Sequence, residues 1–444
     1  MAYSKTMLDK LADAAPYNIF YNEIAQVTKP ESNSVAFTDF LCPSLGQLKC
    51  SLHIAAKVDI QWLIKQYKIQ KVETKPLTIL YSNIEGKLIE KSRYPNVTLQ
   101  CLLDDEEAKK HRLYSNHHEK ISIYVYDDDS LRVVISTCNL RDQWERFNHG
   151  FWVSPRCRRL NDDEQSGGES PTKFKSDLLA FLNHYDLPIL EPWSNYVTSA
   201  DFSDVTAFLI TSIPGRYSPE NPGSHIQQVQ NVLKKHSRLP PNEEPFWPVI
   251  AQASNLGQFG ESPDVWLRSF FLSRLASPLA PLKIVFPTWK EVMNGVFDAE
   301  LVGEGLRYSR AVHTNQLWLQ DFLYQWKANE LGRSKIMPHT KTYCRVSSCS
   351  TKVAWFLLTT GNVNKGAWGQ YYAPRGGEKT EDIFVRNCEI GVLLVPKFFG
   401  EKYFQAKSDV GEKVFPLLYD LPLKKYTEKD YPWSLRPSKH RAQK

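Results

Sequence analysis

One pattern occurs twice in this chain of 444 residues and restricts its fold more than any other feature. In the first half, HHEKISIYVY, DDDS and LRVVISTCN read as strand, turn and strand; in the second, PHTKTYCRV, SSCSTK and VAWFLLTTGN read the same way. Each first strand opens on His-x-Lys and each second strand runs out to Asn, 21 residues from His118 to Asn139 and 23 from His339 to Asn362. Strand side chains alternate in direction, so His118 and Lys120 share a face, as do His339 and Lys341. A hairpin return carries each Asn back beside its own His and Lys. A single HxK in a chain with 11 histidines carries little weight. Two copies in the same strand context, with the same following Asn, mark a duplicated unit.

The rest of the chain is consistent with a layered α/β protein. Helical stretches such as VDIQWLIKQY (58–67) alternate with β-rich runs such as PLTILYS (76–82). Phe174, Leu178, Leu179 and Leu182 have helical spacing, and VTAFLITSIPGRY looks like a strand ending in a turn. Segments 159–173, 218–225 and 238–248 are rich in Gly, Pro and polar residues and are expected as loops. The length suits two domains, which we place at 1–200 and 201–444, with the boundary in SNYVTSADFSD.

Composition narrows the function classes. Hydrophobic residues make up 42% and aromatics 12%, enough for packed interiors. Lys plus Arg exceed Asp plus Glu by 55 to 49, a net charge of +6 that permits a polyanionic partner without requiring one. Eight cysteines are scattered with no CxxC pair, which predicts reduced thiols in an intracellular protein and neither disulfides nor a zinc site. The N-terminus has no apolar signal region, and the apolar runs VAWFLL and IGVLLVP fall short of the ~20 residues of a spanning helix, so a soluble chain with no membrane contact is expected. The triplet NVT at Asn96 is taken as chance, and the basic C-terminal RPSKHRAQK as a solvated tail.

Two His-Lys-Asn clusters facing each other across a pseudo-twofold axis would make a metal-free phosphoryl-transfer centre. Lys and Asn donors can hold the nonbridging oxygens of a phosphodiester through a five-coordinate transition state. The two imidazoles then sit on opposite sides of phosphorus, one as nucleophile and one protonating the leaving oxygen. Chemistry alone does not say which is which. No P-loop, no GxSxG and no cluster with metal-ligand spacing competes with this reading.

These residues resemble the phospholipase D superfamily, whose motif is HxK(x)4D. Val125 and Val346 stand at the two Asp positions, so the pattern is instead the HxK…N of the tyrosyl-DNA phosphodiesterase family. The likeness runs from about residue 50 onward through DIQWLIKQY, FWVSP, DLLAFLNHY, SIPGRY, KVAWFLLTTGNVNKGAWG, CEIGVLLVP and YDLPLKKYTEKDYPWS, in the family's order. It implies two similar α-β-α sandwiches with mixed sheets, related by a pseudo-twofold axis, in a cofactor-free monomer.

By the same resemblance His118 is the nucleophile that forms a phosphohistidine, and His339 is the general acid and then the base. Lys120, Lys341, Asn139 and Asn362 clamp the phosphate, and Glu389 orients a histidine; a strand-end carboxylate paired with a lysine is the competing reading for Glu389. His149, in NHGFW, stands where the family carries a supporting Gln, so the partner of the general acid is open. Ser254, Asn255, Gln258 and Lys365 are the candidate DNA contacts. Tyr114 would stack on a base, with a core aromatic as the alternative.

The implied substrate is a single-stranded or frayed DNA 3′ end carrying a tyrosine or peptide from topoisomerase I, and the implied location is the nucleus. Many family members carry a long N-terminal extension that has no counterpart here and that should not touch the chemistry. Two other classes fit parts of the pattern: a phospholipase D-type hydrolase of lipid or nucleic-acid diesters, and a DNA-end-binding protein without activity.

Overall fold

Both repeats lie at the centres of large mixed sheets. In the computed structural model, which describes residues 5–27, 33–85, 94–103, 116–161, 167–373, 380–407 and 413–435, the first sheet runs Ser34–Val35, Ile19–Asn22, Gly150–Val153, Leu131–Ser136, Lys120–Tyr126, Leu48–Asp59, Leu77–Glu85, Val97–Cys101. The second runs Phe208–Ser212, Asn387–Leu394, Lys352–Thr359, Thr342–Val346, Val249–Gln252, Leu282–Val285, Leu323–Tyr324. Without the Ser34–Val35 edge the two orders are the same. Each HxK strand lies between two antiparallel neighbours, and beyond one of these come two parallel strands. On the other side two further antiparallel strands complete each copy. A shared path of seven strands is the three-dimensional form of the repeat in the sequence.

Two expected elements are divided differently. Val58 and Asp59 close the long strand Leu48–Asp59, and the helix spans Ile60–Ile69. Asp59 is its N-cap, its carboxylate accepting from the Trp62 N–H at 3.0 Å, which is why the chain turns there. The run VTAFLITSIPGRY supplies Phe208–Ser212 to the large sheet and Gly215–Tyr217 to a separate three-stranded sheet. Asn96 donates both amide hydrogens to the Glu73 and Lys75 carbonyls. Residues 162–166 of the acidic loop and the tail 436–444 lie outside the described residues. Among the described residues no helix is long and apolar enough to cross a membrane.

Alternation along the first HxK strand divides the interior. Ile121, Ile123 and Val125 enter a core that also holds Phe356, Leu358, Ile390 and Val392 of the second half. Tyr124 and Tyr126 face the other way, with Phe40, Trp144 and Phe151. The halves therefore share one apolar interior. Gly150 permits this closeness, since a Cβ there would lie 2.8 Å from Leu358 Cδ1.

A buried polar joint fixes the register between halves. Asn148 donates through Nδ2 to the Ile336 carbonyl at 2.6 Å and accepts through Oδ1 from Arg333 at 2.8 Å, while Arg333 also donates to the Asn22 carbonyl. Asn148→Ala leaves that buried guanidinium and carbonyl short of partners, an expected loss of about 3 kcal/mol. Urea unfolding measures it; a change within about 0.5 kcal/mol would mean that water replaces the amide.

Candidate active site

The two motifs meet in one cleft of about 230 Å³. His118, Asn139, His339 and Asn362 all line it, together with Ser254, Asn255, Lys57 and Arg307. Each histidine stands just before its strand, where the sheet edge opens toward the other half. The backbone repeats the symmetry. His118 N–H donates to the Cys388 carbonyl at 3.0 Å, and His339 N–H donates to the Asn148 carbonyl at 2.8 Å. The next residues, Glu389 and His149, thus occupy matching places beside the two imidazoles.

Glu389 is buried, and its Oε2 lies 2.8 Å from His118 Nδ1. Thr360 Oγ1 donates to the same oxygen at 2.6 Å, and Asn387 Nδ2 donates to Oε1 at 2.8 Å. Burial alone would raise this carboxyl, but His118 and the two donors hold it down at about 2. An ionised carboxylate only accepts, so His118 carries its proton on Nδ1 and leaves the Nε2 lone pair free. Glu389 is therefore a positioning residue. His339 Nδ1 lies 3.0 Å from the Thr137 carbonyl, which only accepts, while Lys341 Nζ lies 3.1 Å from Nδ1 and 3.3 Å from Nε2 of the same ring.

Both lysines are buried, and among the described residues no carboxylate forms an ion pair with either. Lys120 and Lys341 each donate to the carbonyl of their own histidine. Burial pulls Lys120 down to about 8, and burial with the neighbouring Lys120 charge pulls Lys341 down further. Burial also lowers His118, with Glu389 opposing, and lowers His339 strongly, with Lys341 and His149 adding to the effect. Two buried ammonium groups beside neutral imidazoles, with the Glu389 carboxylate as a nearby negative charge acting on both, make the site electropositive.

The remaining sequence candidates divide. Asn362 Oδ1 accepts from Ser254 N, Ser254 Oγ and Asn255 N at 3.0, 3.2 and 2.9 Å. With its oxygen held this way, Asn362 presents its NH₂ to the cleft; Ser254 and Asn255 thus orient the clamp as well as lining the site. Gln258 is exposed and does not line the cleft, nor does Lys365, which opens the short helix Lys365–Trp368. Tyr114 lies outside the described residues. Thr360, Asn387, Thr137 and Arg307 are site residues that sequence reasoning missed. Thr137 and Thr360 sit two before Asn139 and Asn362, so aligning the repeats would have paired them.

The profile described as tyrosyl-DNA phosphodiesterase matches residues 18–427. The chain belongs to the tyrosyl-DNA phosphodiesterase family. It is 33% identical to tyrosyl-DNA phosphodiesterase 1 of Drosophila melanogaster over 445 residues, spanning 96% of this chain and 75% of that one. A probable tyrosyl-DNA phosphodiesterase of Caenorhabditis elegans is 27% identical, over 94% of this chain and 89% of its own. The crystal structure of the yeast tyrosyl-DNA phosphodiesterase superimposes with a TM-score of 0.69 at 17% identity, covering 94% of this chain and 100% of that one, so the fold is shared.

As a tyrosyl-DNA phosphodiesterase family member, the chain is a phosphodiesterase hydrolase of the phospholipase D superfamily. His149, whose part beside the second histidine the sequence left open, packs against His339 without bonding to it. That ring lies 5.1 Å from the His339 ring, centroid to centroid, and makes no hydrogen bond to it. His149 Nε2 instead faces the Gln143 carbonyl at 3.1 Å, and burial lowers the ring to about 3. The Thr137 carbonyl orients His339 in its place.

A pH prediction follows from the charges. A general acid must be protonated, and its contribution is lost as pH rises through its pKa. Bound phosphate neutralises the lysines that depress His339, so the basic limb of kcat lies at higher pH than the basic limb of kcat/KM. Coincident limbs would mean that the phosphate does not act on His339.

Proposed function

We propose that the protein hydrolyses the bond between a tyrosine side chain and a DNA 3′ phosphate in two steps. His118 Nε2 attacks phosphorus in line, and the P–O bond to tyrosine breaks as His339 Nε2 gives the leaving phenolate a proton. His339 then takes a proton from water, whose oxygen attacks phosphorus and releases His118 and a 3′ phosphate. Lys120, Lys341, Asn139 and Asn362 hold the nonbridging oxygens throughout. The observation that carries this reading is the pair of buried lysines, neither in an ion pair with a carboxylate among the described residues, flanked by two histidines from opposite halves. A phosphodiester supplies negative charge at the point where both imidazoles can reach it.

In this reading the substrates are single-stranded or frayed 3′ ends bearing a topoisomerase I peptide, met by a monomer in the nucleus. Arg307 is exposed on the cleft wall and forms no ion pair among the described residues, which suits it to a DNA or peptide anion. Exposed Gln258 and nearby Lys365 would extend the DNA contact beyond the cleft, and the halves 1–200 and 201–444 would each contribute one cluster.

The test is cleavage of a single-stranded oligonucleotide with a 3′ phosphotyrosine in excess EDTA. Tyrosine release with a 3′ phosphate left on the DNA is expected. Loss of activity in the chelator, or preference for phosphatidylcholine or for internal DNA linkages, would replace this reading with a different hydrolase.

A further inference from the structure

Beside the nucleophile lies a second cluster that the phosphoryl chemistry does not use. Asn116–His117 pairs in parallel with Asn387–Cys388, and this crossing brings His117, Glu119 and Cys388 together. One donor atom from each lies within 4.8 Å of the other two. Glu119 is fully buried. Its Oε1 accepts from the Tyr185 hydroxyl at 2.8 Å and faces His117 Nδ1 at 3.0 Å. Among the described residues its buried Oε2 has no hydrogen-bond partner. A buried carboxylate oxygen without a donor is costly.

We propose that His117, Glu119 and Cys388 form a binding site for a divalent cation of the zinc class. An imidazole nitrogen, a carboxylate oxygen and a thiolate sulfur suit tetrahedral zinc, with water in the fourth position. The Tyr185 hydroxyl steadies the carboxylate from outside. His117 lines the active-site cleft, which is the route of entry. Binding releases the Cys388 thiol proton and displaces the one shared by His117 and Glu119, so affinity rises with pH.

The site has a consequence for catalysis. His117 precedes His118 and Cys388 precedes Glu389, so a bound ion ties down both ends of the His118–Glu389 hydrogen bond and adds positive charge beside the nucleophile. The ion takes no part in the reaction and slows it. This inhibition rests on His118 being the nucleophile; the binding does not.

Optical titration with Co2+, followed by displacement with Zn2+, tests the site directly. One equivalent of Co2+ is expected to give thiolate-to-cobalt charge-transfer absorption that Zn2+ removes. Cys388→Ser abolishes that absorption, and Glu119→Gln weakens binding by about 10-fold or more. Cys349→Ser, at the exposed thiol, leaves both unchanged. Cys388→Ser protein that still cleaves the oligonucleotide separates loss of a ligand from loss of the fold. No absorption in wild type, or absorption that survives Cys388→Ser, overturns the site. Equal inhibition of wild type and Cys388→Ser by Zn2+ overturns its link to catalysis. Failure of wild type to cleave in EDTA bears on the proposed function alone, since the cobalt spectrum needs no turnover.

Discussion

His118→Ala is expected to lower tyrosine release by at least about 10⁴-fold, because it removes the proposed nucleophile, the one cleft histidine that the buried Glu389 holds. Glu389 holds the ring through Nδ1, which leaves the Nε2 lone pair free for the attack. The matching variant behaves differently. His339→Asn retains the nucleophile but loses the proton carrier, so a tyrosine leaving group still departs slowly while water is no longer activated. A covalent protein–DNA adduct then accumulates, visible as labelled oligonucleotide migrating with the protein on a denaturing gel. An adduct with His118→Ala and none with His339→Asn would exchange the two roles. Full activity in both would remove the duplicated motif from the chemistry.

Lys341→Met should separate activity from stability. The ammonium is buried, its backbone acceptor among the described residues is the His339 carbonyl, and burial with the Lys120 charge depresses it strongly. In the empty enzyme it is a cost; in the proposed mechanism it meets the negative charge of the transition state. Replacing it with an apolar chain of similar length is expected to reduce kcat/KM by about 10²–10³-fold. The same change raises stability by about 1–3 kcal/mol, read as a higher urea midpoint. Lower stability together with lower activity would show that Lys341 holds the fold and would weaken its assignment to the phosphate.

Much of this was legible in the sequence because the chemistry is periodic. The twin HxK…N spacing singled out His118, Lys120, Asn139, His339, Lys341 and Asn362, and the structure brings both histidines and both asparagines to one cleft. Of the six only Lys120 lies within a strand; the others stand at strand ends, where the hairpin return keeps each set together. The limits of that reading are equally local. The helix placed at 58–67 begins at Ile60, because a strand running into its own N-cap shows no break in apolar pattern. Ser254 and Asn255 are candidate DNA contacts in the sequence, and the structure adds that their N–H groups donate to Asn362 Oδ1.

The sequence by itself determined the reaction class, the duplicated α/β architecture and the two halves of the clamp, since each depends on residues close in the chain. Only the tertiary structure decided which groups act across the halves. Glu389 meets His118 over 271 positions, Thr137 meets His339 over 202, and Cys388 comes to His117 and Glu119 from the far repeat. Such contacts arise where two sheets share one core, and no local spacing encodes the register between them. That register also set the protonation of the site, because burial, which only the assembled halves create, is what leaves two lysines waiting for an anion.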